Sequence, residues 1–334
     1  MRKKSFLLVC LIVALAFVLV ACGGGGAENK PPEGEGEGTQ KVDFPTKPIT
    51  LIVPYGAGGG TDVTARLLAE PLGKYLGQPV AVINVTGGGG WNGWGQLAHS
   101  DPDGYTIGYV NVPNVFAGYL DPEMKREESI DSFRMLANHV TDPGLYAVKP
   151  DSKFKTFQDV VDYAKEHPGQ VSITAHGHGG DEYLGIKQLE RAIGTEFKMI
   201  HNDSTAESIA QVLGGHVDIL GANVSEVTSL VEHGELVVLG LAYDERSEFL
   251  PDVPTLKEQG VDAVHFAARG IAVPAGTPDE IVEILSDALQ KSVEDQGHID
   301  KCKELGLSLI SMKGQEYTDF IKSWETKVKD LMGW

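Results

Sequence analysis

A glycine-rich junction between a strand pattern and a helix pattern is the feature of this sequence with the clearest chemical use. Residues 54–62 read PYGAGGGTD, after the apolar stretch ITLIV and before the helical pattern VTARLLAEPL. Glycine lets the backbone come close to a ligand, and the unpaired N–H groups at a helix N-terminus attract anions. The junction therefore predicts a site for a small anionic molecule.

Nucleotide binding is a competing explanation of the same glycines, and the flanking residues disfavour it. A P-loop requires Lys and then Ser or Thr after its last glycine, whereas Thr61 and Asp62 follow Gly60. A dinucleotide fingerprint needs glycine in place of Thr61 and an acid at the end of the next strand, where Asn84 stands. The GGGTG run of tubulin-like proteins is also interrupted, by Asp62.

Three further strand patterns end in glycine-rich or polar turns that lead into helices. These turns contain residues 87–90, 177–180 and 202–204. Because ligands of open α/β sheets bind at the carboxyl ends of strands, four such ends predict two α/β lobes that face each other across a cleft. The residues that we expect to contact a ligand are Tyr55, Gly58, Gly59, Gly60, Thr61, Asp62, Thr86, Gly88, Gly89, Asn92, His176, His178, Gly179, Asn202, Asp203, Ser204, Asn223 and Arg269.

Five of these residues also have a structural explanation. Asp62 either accepts a hydrogen bond from a ligand amine or hydroxyl or places favourable charge in a first helical turn. Thr61 and Thr86 are expected mainly to cap helices. Asn223 either donates its amide to a ligand or caps the helix that follows it. Arg269 either pairs with a ligand carboxylate or takes part in hinge packing or a surface ion pair.

The aromatic and histidine side chains near the junctions also have both a ligand-binding and another explanation. Tyr55 would cover an apolar part of a ligand or pack in the core, as would two nearby tryptophans. His176, His178 and His201 would bind zinc if the strand geometry brought them together. A direct contact of His176 or His178 with the ligand is the preferred interpretation, and it predicts mildly pH-dependent anion binding. We therefore expect neither a metal nor a cofactor.

The first 43 residues predict export and attachment to a membrane. Residues 1–21 combine three basic residues with an apolar run, which is typical of a secretory signal and is short for a membrane span. The segment LVAC resembles the lipobox of bacterial lipoproteins, and by that resemblance Cys22 becomes the acylated N-terminus. An uncleaved anchor helix is the alternative. Residues 22–43 have almost no large apolar side chains and predict a flexible tether.

Composition and motifs argue against several classes of function. The formal charge of −19 repels nucleic acid and anionic lipid, so no nucleic-acid partner is expected. Of the three cysteines, Cys10 would leave with the signal and Cys22 would carry lipid, which leaves Cys302 without a disulfide partner. The sequence contains no serine elbow, no HExxH motif and no readable Cys–His pair, so an enzyme is not expected.

The rest of the chain predicts two α/β domains. About 290 residues follow the tether, more than one hydrophobic core usually organises. Short β-rich runs alternate with helical patterns, which predicts a parallel sheet with crossover helices. We expect Thr61 to cap the first helix, Gly77 to end it, and two helical stretches, 278–296 and 315–332, to close the chain. The expected domains are a first lobe of residues 44–143 and 268–334 and a second lobe of residues 144–267.

Long stretches of this chain resemble the extracytoplasmic solute receptors of tripartite tricarboxylate transporters, also called the TctC or Bug family. The matching stretches run over nearly the whole body from about Phe44, and they are FPTKPITLIVPYGAGGGTDVTARLLAEPLGKYLGQPVAVINV, DPDGYTIGYV, VDYAKEHPGQVSITAHGHGG, VLGGHVDIL, LPDVPTLKEQG and GIAVPAGTP. The resemblance implies the two-lobed, type II fold of periplasmic binding proteins. It also implies that backbone N–H groups and ordered waters at the two glycine-rich loops of the first lobe hold the ligand carboxylates.

Departures from the family pattern occur in the second, third and fourth loops. Where the family commonly has Arg-Pro-Gly-Ala-Gly-Gly, residues 85–90 read VTGGGG and lack the arginine. Ala175 and Gly180 replace frequent serines, Tyr183 replaces a frequent histidine, and residues 201–204 replace Pro-Tyr-Lys-Gly. The second lobe is therefore expected to contact its ligand differently, and the tricarboxylate of the family name cannot be carried over.

The function that the resemblance implies is that of a lipid-anchored, extracytoplasmic solute-binding protein. Its expected partners are a small di- or tricarboxylate or a related solute, the subunits of a membrane permease, and the membrane itself through the N-terminal lipid. A monomer is expected. The alternatives are a sensor receptor of the same fold that signals to a membrane partner, an exported α/β enzyme, and a surface interaction protein with a degenerate cleft, which the intact glycine loops disfavour.

Overall fold

The computed structural model describes residues 42–202 and 204–334. The expected signal peptide, Cys22 and the tether before residue 42 lie outside the described residues, as does Asp203. In the described part of the chain, no helix has the length and apolar character that crossing a membrane requires.

Strands and helices alternate through most of the described chain, as the sequence patterns predict. The strands are β1 (Ile49–Val53), β2 (Val80–Asn84), β3 (Thr106–Val112), β4 (Phe133–Val148), β5 (Ser172–His176), β6 (Lys198–Asn202), β7 (Leu220–Asn223), β8 (Val237–Ala242) and β9 (Phe266–Pro274). The α-helices are α1 (Gly60–Leu76), α2 (Trp91–Ala98), α3 (Asn114–Leu120), α4 (Phe157–Glu166), α5 (Asp181–Ile193), α6 (Thr205–Leu213), α7 (Val224–Glu232), α8 (Asp279–Val293), α9 (Gln296–Glu304) and α10 (Gly314–Met332).

The main sheet is parallel at one edge and antiparallel in its centre. β1 pairs in parallel with both β2 and β3. β9 then lies between β3 and β4 and is antiparallel to each of them. The expectation of a parallel sheet is therefore wrong for the centre of the molecule, because β4 and β9 carry the chain between the two lobes in opposite directions.

The long strand β4 belongs to both lobes of the fold. Residues 133–143 of this strand pair with β9, whereas residues 144–148 pair with β7 and β8. The pairing of β4 changes from β9 to β7 and β8 between Pro143 and Gly144. The N–H of Gly144 donates to the carbonyl of His265, just before β9, at 2.9 Å. The two crossings between the lobes therefore lie side by side.

The strands of the second lobe direct three helix N-termini to one edge. β5 and β6 form a parallel pair, and the N–H of Thr174 on β5 donates to the carbonyl of Ile219 beside β7, at 3.0 Å. Each of these three strands leads within a few residues into a helix: β5 into α5, β6 into α6 and β7 into α7. Polar groups near these helix starts are thereby gathered where open α/β sheets bind ligands.

The N-cap of helix α1 lies two residues earlier than the sequence pattern predicts. Gly59 is its N-cap in an extended conformation, so Thr61 lies inside the helix and the expected capping role of Thr61 is wrong. The hydroxyl of Thr61 instead accepts a hydrogen bond from Nδ2 of Asn111, at 2.9 Å. The helix ends at Gly77, which adopts the left-handed conformation with φ 70°, as expected.

Apolar faces of helices α1 and α8 cover one side of the parallel part of the sheet. Leu68 and Leu72 of α1 and Leu285 and Leu289 of α8 are buried in the same cluster as the side chains of β1 and β3. Burying each leucine contributes about 1.5–3 kcal/mol relative to exposure. This packing fixes the position of the N-terminus of α1 against the sheet.

Three helices rather than two close the chain. α8 and α10 coincide closely with the two predicted stretches, and α9 follows α8 after a short break at Asp295. The sequence of α9, QGHIDKCKE, buries only His298 and Cys302, one helical turn apart. A helix with so little apolar periodicity gives no sequence signal.

Candidate functional site

Asp62 shapes the glycine-rich loop between β1 and α1. Its carboxylate accepts hydrogen bonds from the N–H of Gly58, from Nε of Arg66 and from Nδ2 of Asn84, each at 2.9 Å. Burial alone would raise the pKa of Asp62, but these hydrogen bonds outweigh it and hold the pKa below its usual value. The carboxylate therefore fixes the loop and links it to the end of β2.

Gly60 stands where the backbone of α1 meets a buried arginine. A β-carbon at position 60 would lie 2.5 Å from Nη2 of Arg269 and 3.4 Å from Oε1 of Glu226. At Gly59, in contrast, a β-carbon would make an ordinary contact of 3.5 Å with the carbonyl of Gly56. Glycine at position 60 is thus required by this close approach, whereas no contact of this kind requires it at position 59.

The second glycine-rich loop, between β2 and α2, has a conformation that other residues rarely adopt. Gly87, Gly88, Gly89 and Gly90 have φ values of 110°, 60°, 64° and 103°. Nδ2 of Asn92 closes the loop by donating to the carbonyl of Thr86, at 3.0 Å. A β-carbon at Gly89 would be 3.8 Å from the carbonyl oxygen of His178, so this loop faces the turn after β5.

Aromatic side chains beside the two loops pack in the core. Trp94 is fully buried and donates its indole N–H to the carbonyl of Tyr109, at 2.9 Å. Trp91 is 3% exposed and stands edge-on to Trp94. Tyr55 is half-buried and also meets Trp94 edge-on, with ring centroids 6.1 Å apart. Both tryptophans therefore pack in the core, as the core-packing alternative predicts.

The turn after β5 carries two histidines with different partners. Nδ1 of His176 lies 2.8 Å from Oε1 of Glu182, whereas Nε2 of His178 lies 3.1 Å from Oδ2 of Asp121. The Glu182 carboxylate raises the pKa of His176 to about 10, although burial acts against it. The other ring nitrogen of His176, Nε2, is buried and has no hydrogen-bond partner within the described residues. Nε2 is thus the ring nitrogen of His176 that is left for a further hydrogen bond.

Asp181 joins the start of α5 to two neighbouring helices. Its carboxylate accepts from Nδ2 of Asn114, at the start of α3, at 2.9 Å, and from Nδ2 of Asn223, just before α7, at 3.0 Å. The three residues are buried or half-buried. Gly179, in the preceding turn, has φ 81° and lies against Ala117 of α3. This set of contacts connects the second lobe to the helix that follows β3.

Arg269 on β9 is buried against the start of α1. Its Nη2 lies 2.9 Å from Oδ2 of Asp142, and both side chains are almost fully buried. Asp142 also accepts from the N–H and the hydroxyl of Ser225 in the first turn of α7. Nε of Arg269 has no hydrogen-bond partner among residues 42–202 and 204–334. The guanidinium is therefore held in place while one N–H remains unpaired.

The turn after β6 is engaged with the helix that follows it. Ser204 is the N-cap of α6 and accepts from the N–H of Glu207, at 3.2 Å. Asn202 donates to the hydroxyl of Ser208 and accepts from Nε2 of Gln211. These hydrogen bonds place Asn202 and Ser204 at the N-terminus of α6, and any contact with a ligand stays a prediction.

Several acids that the sequence analysis did not select lie near two basic residues that it did select, Arg269 and His176. Asp142, Asp181, Glu182 and Glu226 lie around Arg269 and His176, and each contributes to the electrostatic environment of at least one of these two cations. Burial raises the pKa of Glu182 and of Glu226 above the usual value. Apart from the neighbours Asp181 and Glu182, these acids are far apart in sequence and carry no local signal of a common site.

A separate buried group lies between β4 and α9. Ligand-type atoms of His139, His298 and Cys302 are within 4.8 Å of one another, and the Nε2 atoms of the two histidines are 2.8 Å apart. The Tyr109 hydroxyl lies 2.8 Å from Nδ1 of His139. Burial lowers the pKa of both histidines, so a chain of neutral hydrogen bonds accounts for this arrangement.

Comparison with known proteins agrees with this architecture. The sequence model described as "Tripartite tricarboxylate transporter family receptor" matches residues 64–333. A Cupriavidus necator protein, named for its position in the gbd 5′ region, is 32% identical over 297 residues, which are 88% of this chain and 89% of that protein.

Two solved structures have the same fold. A TctC solute-binding protein from Polaromonas is 28% identical with a TM-score of 0.71, over 87% of this chain and 99% of that one. The MatC protein of Rhodopseudomonas palustris, solved with bound malate, has a TM-score of 0.78 at 24% identity, over 86% of this chain and 99% of that one.

The family match covers most of the chain and both lobes. Proteins of this family are solute-binding receptors that act outside the cytoplasm, and they are not enzymes. The chain therefore belongs to the TctC, or Bug, family of tripartite tricarboxylate transporter receptors.

Proposed function

We propose that this protein is a lipid-anchored receptor that captures a small carboxylate-type solute by lobe closure and delivers it to a tripartite tricarboxylate-type permease. Family membership supports the transport role, and the malate held by MatC supports a carboxylate as the solute class. The anchor would be the acylated Cys22, connected to the lobes by the tether of residues 22–43.

The observation that carries the proposal is the convergence of loops and helix N-termini around Arg269. Gly60 of the first loop lies against its guanidinium, and Gly89 of the second loop faces the turn that contains His178. A carboxylate placed beside Gly59 and Gly60 would meet the unpaired amides in the first turn of α1 and the positive end of the helix dipole, whereas the N–H of Gly58 already donates to Asp62.

The partner exchange in β4 supports lobe boundaries near Pro143 and near the start of β9. We assign residues 44–143 and 268–334 to the first lobe and residues 144–267 to the second. A ligand stabilises the closed form only to the extent that it contacts both lobes. His176 and Asn223 are the contacts that we propose on the second lobe, opposite the glycine loops of the first.

A thermal-shift titration tests the receptor role. The protein, purified in detergent, is titrated with mono-, di- and tricarboxylates and with neutral analogues of the same carbon skeletons. A ligand at 100 times its Kd adds about 2.7 kcal/mol of stability. A shift with one class of carboxylate and none with the neutral analogues supports the proposal. A shift with the neutral analogues alone contradicts it.

A substitution at Cys22 tests the lipid anchor. The Cys22→Ser protein is expected in the soluble fraction of cells, because the acylated residue is lost. Cys302→Ser is the matched control and should stay with the membrane, since that thiol is buried in the body of the protein. Retention of Cys22→Ser in the membrane would favour an uncleaved anchor helix instead.

A further inference from the structure

Three side chains that can bind a metal are buried together between β4 and α9. His139 lies on β4, and His298 and Cys302 lie one turn apart on α9. Their exposed fractions are 2%, 2% and 0%. Nε2 of His298 lies 2.8 Å from Nε2 of His139 and 3.5 Å from Sγ of Cys302. Two imidazoles and a thiol thus meet in a part of the protein that the proposed solute site does not use.

Helix α9 reaches the rest of the protein through two of these side chains. His298 and Cys302 are the buried residues of α9, and their i, i+4 spacing puts both on one face of the helix. The ion pair of Lys301 with Glu70, 2.7 Å apart, is exposed and contributes little. The contact of α9 with β4 therefore depends on polar groups of the kind that bind metals rather than on an apolar face.

Both imidazoles are in the form that metals bind. Burial lowers the pKa of His139 and of His298, so both rings are neutral at pH 7 and carry a lone pair. Only one proton fits between the two Nε2 atoms, so one of the rings already presents its Nε2 lone pair to the other. The Tyr109 hydroxyl, 2.8 Å from Nδ1 of His139, fixes the orientation of that ring. Metal-binding histidines are commonly oriented by such a contact at the second ring nitrogen.

We propose that His139, His298 and Cys302 bind one Cu(I) ion through the two Nε2 atoms and Sγ. Thiolate ligands favour soft ions such as Cu(I). A thiolate, a monovalent cation and two neutral imidazoles have no net charge, which suits a buried site. A divalent ion would leave one positive charge there, where the charge of Arg269 already acts on His139. The inference is independent of the solute and of the transport role.

Binding requires small movements and a balanced transfer of protons. With metal–ligand bonds of about 2.0–2.3 Å, three ligand atoms in one plane with the ion lie about 3.5–3.8 Å apart. The contact between His298 and Cys302 already has this length, and the two Nε2 atoms must separate by about 0.7 Å. The thiol releases its proton to solvent, because a coordinated thiol is deprotonated. The ring that donates between the histidines moves its proton to its own Nδ1, which in His139 lies beside the Tyr109 oxygen.

Anaerobic titration of the full chain in detergent with Cu(I), buffered by bicinchoninate, tests the site. We expect one Cu(I) per chain, and X-ray absorption should show one sulfur and two nitrogen ligands. Cys302→Ser and His298→Gln should each abolish this binding, because each removes a ligand. His99→Gln is the matched control and should bind like the wild type, since that side chain is 74% exposed on the surface.

A fourth variant tests the orientation of His139. Tyr109→Phe should weaken Cu(I) binding by about 10- to 100-fold, the usual effect of removing a contact that orients a metal-binding histidine. Circular dichroism of each variant shows whether it is folded. If a variant does not fold, the ligands seen by X-ray absorption in the wild type decide on their own.

The results that would overturn the inference are distinct from those that bear on transport. A chain that retains no copper, or copper bound without sulfur, overturns the inference and leaves the carboxylate receptor intact. Copper that remains in both Cys302→Ser and His298→Gln is bound elsewhere and overturns it as well. Tighter binding of Zn(II) than of Cu(I) at the same ligands overturns the choice of a monovalent ion.

Discussion

Arg269 on β9 and Asp142 on β4 form a buried ion pair where the two strands pass from one lobe to the other, with Nη2 and Oδ2 2.9 Å apart. On one side the guanidinium lies against Gly60 at the start of α1. On the other side the carboxylate accepts from Ser225 at the start of α7. One charge pair thus supports helix N-termini from both sides of the cleft.

Removal of Asp142 is expected to destabilise the whole fold. Asp142→Ala should lower the free energy of unfolding by about 3–5 kcal/mol, because the guanidinium of Arg269 would stay buried without its partner. Denaturant unfolding measures the change. Asp287→Ala breaks the exposed pair with Lys291 and is the control, with an expected loss of about 0.3–0.5 kcal/mol. Similar losses in the two variants would contradict the structural role of the buried pair.

Two adjacent glycines should respond to substitution in different ways. Gly59→Val should fold normally and lose ligand binding, because its β-carbon meets only the carbonyl of Gly56 at an ordinary distance. Gly60→Ala should lower the melting temperature, because its methyl group would lie 2.5 Å from Nη2 of Arg269. Thermal melts and ligand titrations of both variants test this. Unchanged affinity in Gly59→Val would exclude the first loop as the ligand site.

Asp62 should contribute a stability that disappears in acid. The pKa of Asp62 is lower in the folded protein than in the unfolded chain, so its contribution is complete above the unfolded value and is lost as the pH falls through the folded one. The difference in unfolding free energy between wild type and Asp62→Asn should therefore shrink from pH 6 towards pH 3. Asp287→Asn, on the exposed face of α8, provides the comparison. A difference that is constant with pH would mean that folding does not change the pKa of Asp62.

His176 should be an imidazolium throughout the neutral range. Glu182 raises its pKa to about 10, so the stabilisation is complete below the unfolded value of about 6.5 and is lost as the pH rises through 10. NMR titration of the imidazole carbons measures this directly. His139 is the internal reference, because burial lowers its pKa and keeps it neutral at pH 7. Titration of His176 near 6.5 would remove it as a charged donor to a carboxylate. In that case His176 would lose its charge within the neutral range, and this loss would cause the mildly pH-dependent anion binding that the sequence predicts.

The sequence alone determined the features that depend on neighbouring residues. The strand, the glycine-rich turn and the helix follow one another within about 25 residues from Ile49, so periodicity, turn chemistry and the glycine stop at Gly77 identify them. The order of such units, together with the matching stretches, was sufficient for the family and its two-lobed fold.

Only the tertiary structure decided which polar side chains share a site and which are already paired. Asp142, Asp181, Glu226 and Arg269 are brought together by β4 and β9 and by the starts of α5 and α7, which are far apart in the chain. Asp62 belongs to a local motif, yet its three donors fix it as part of the loop. Burial and long-range pairing determine the free energy of each charged group in the folded protein, and the spacing of residues along the sequence determines neither of them.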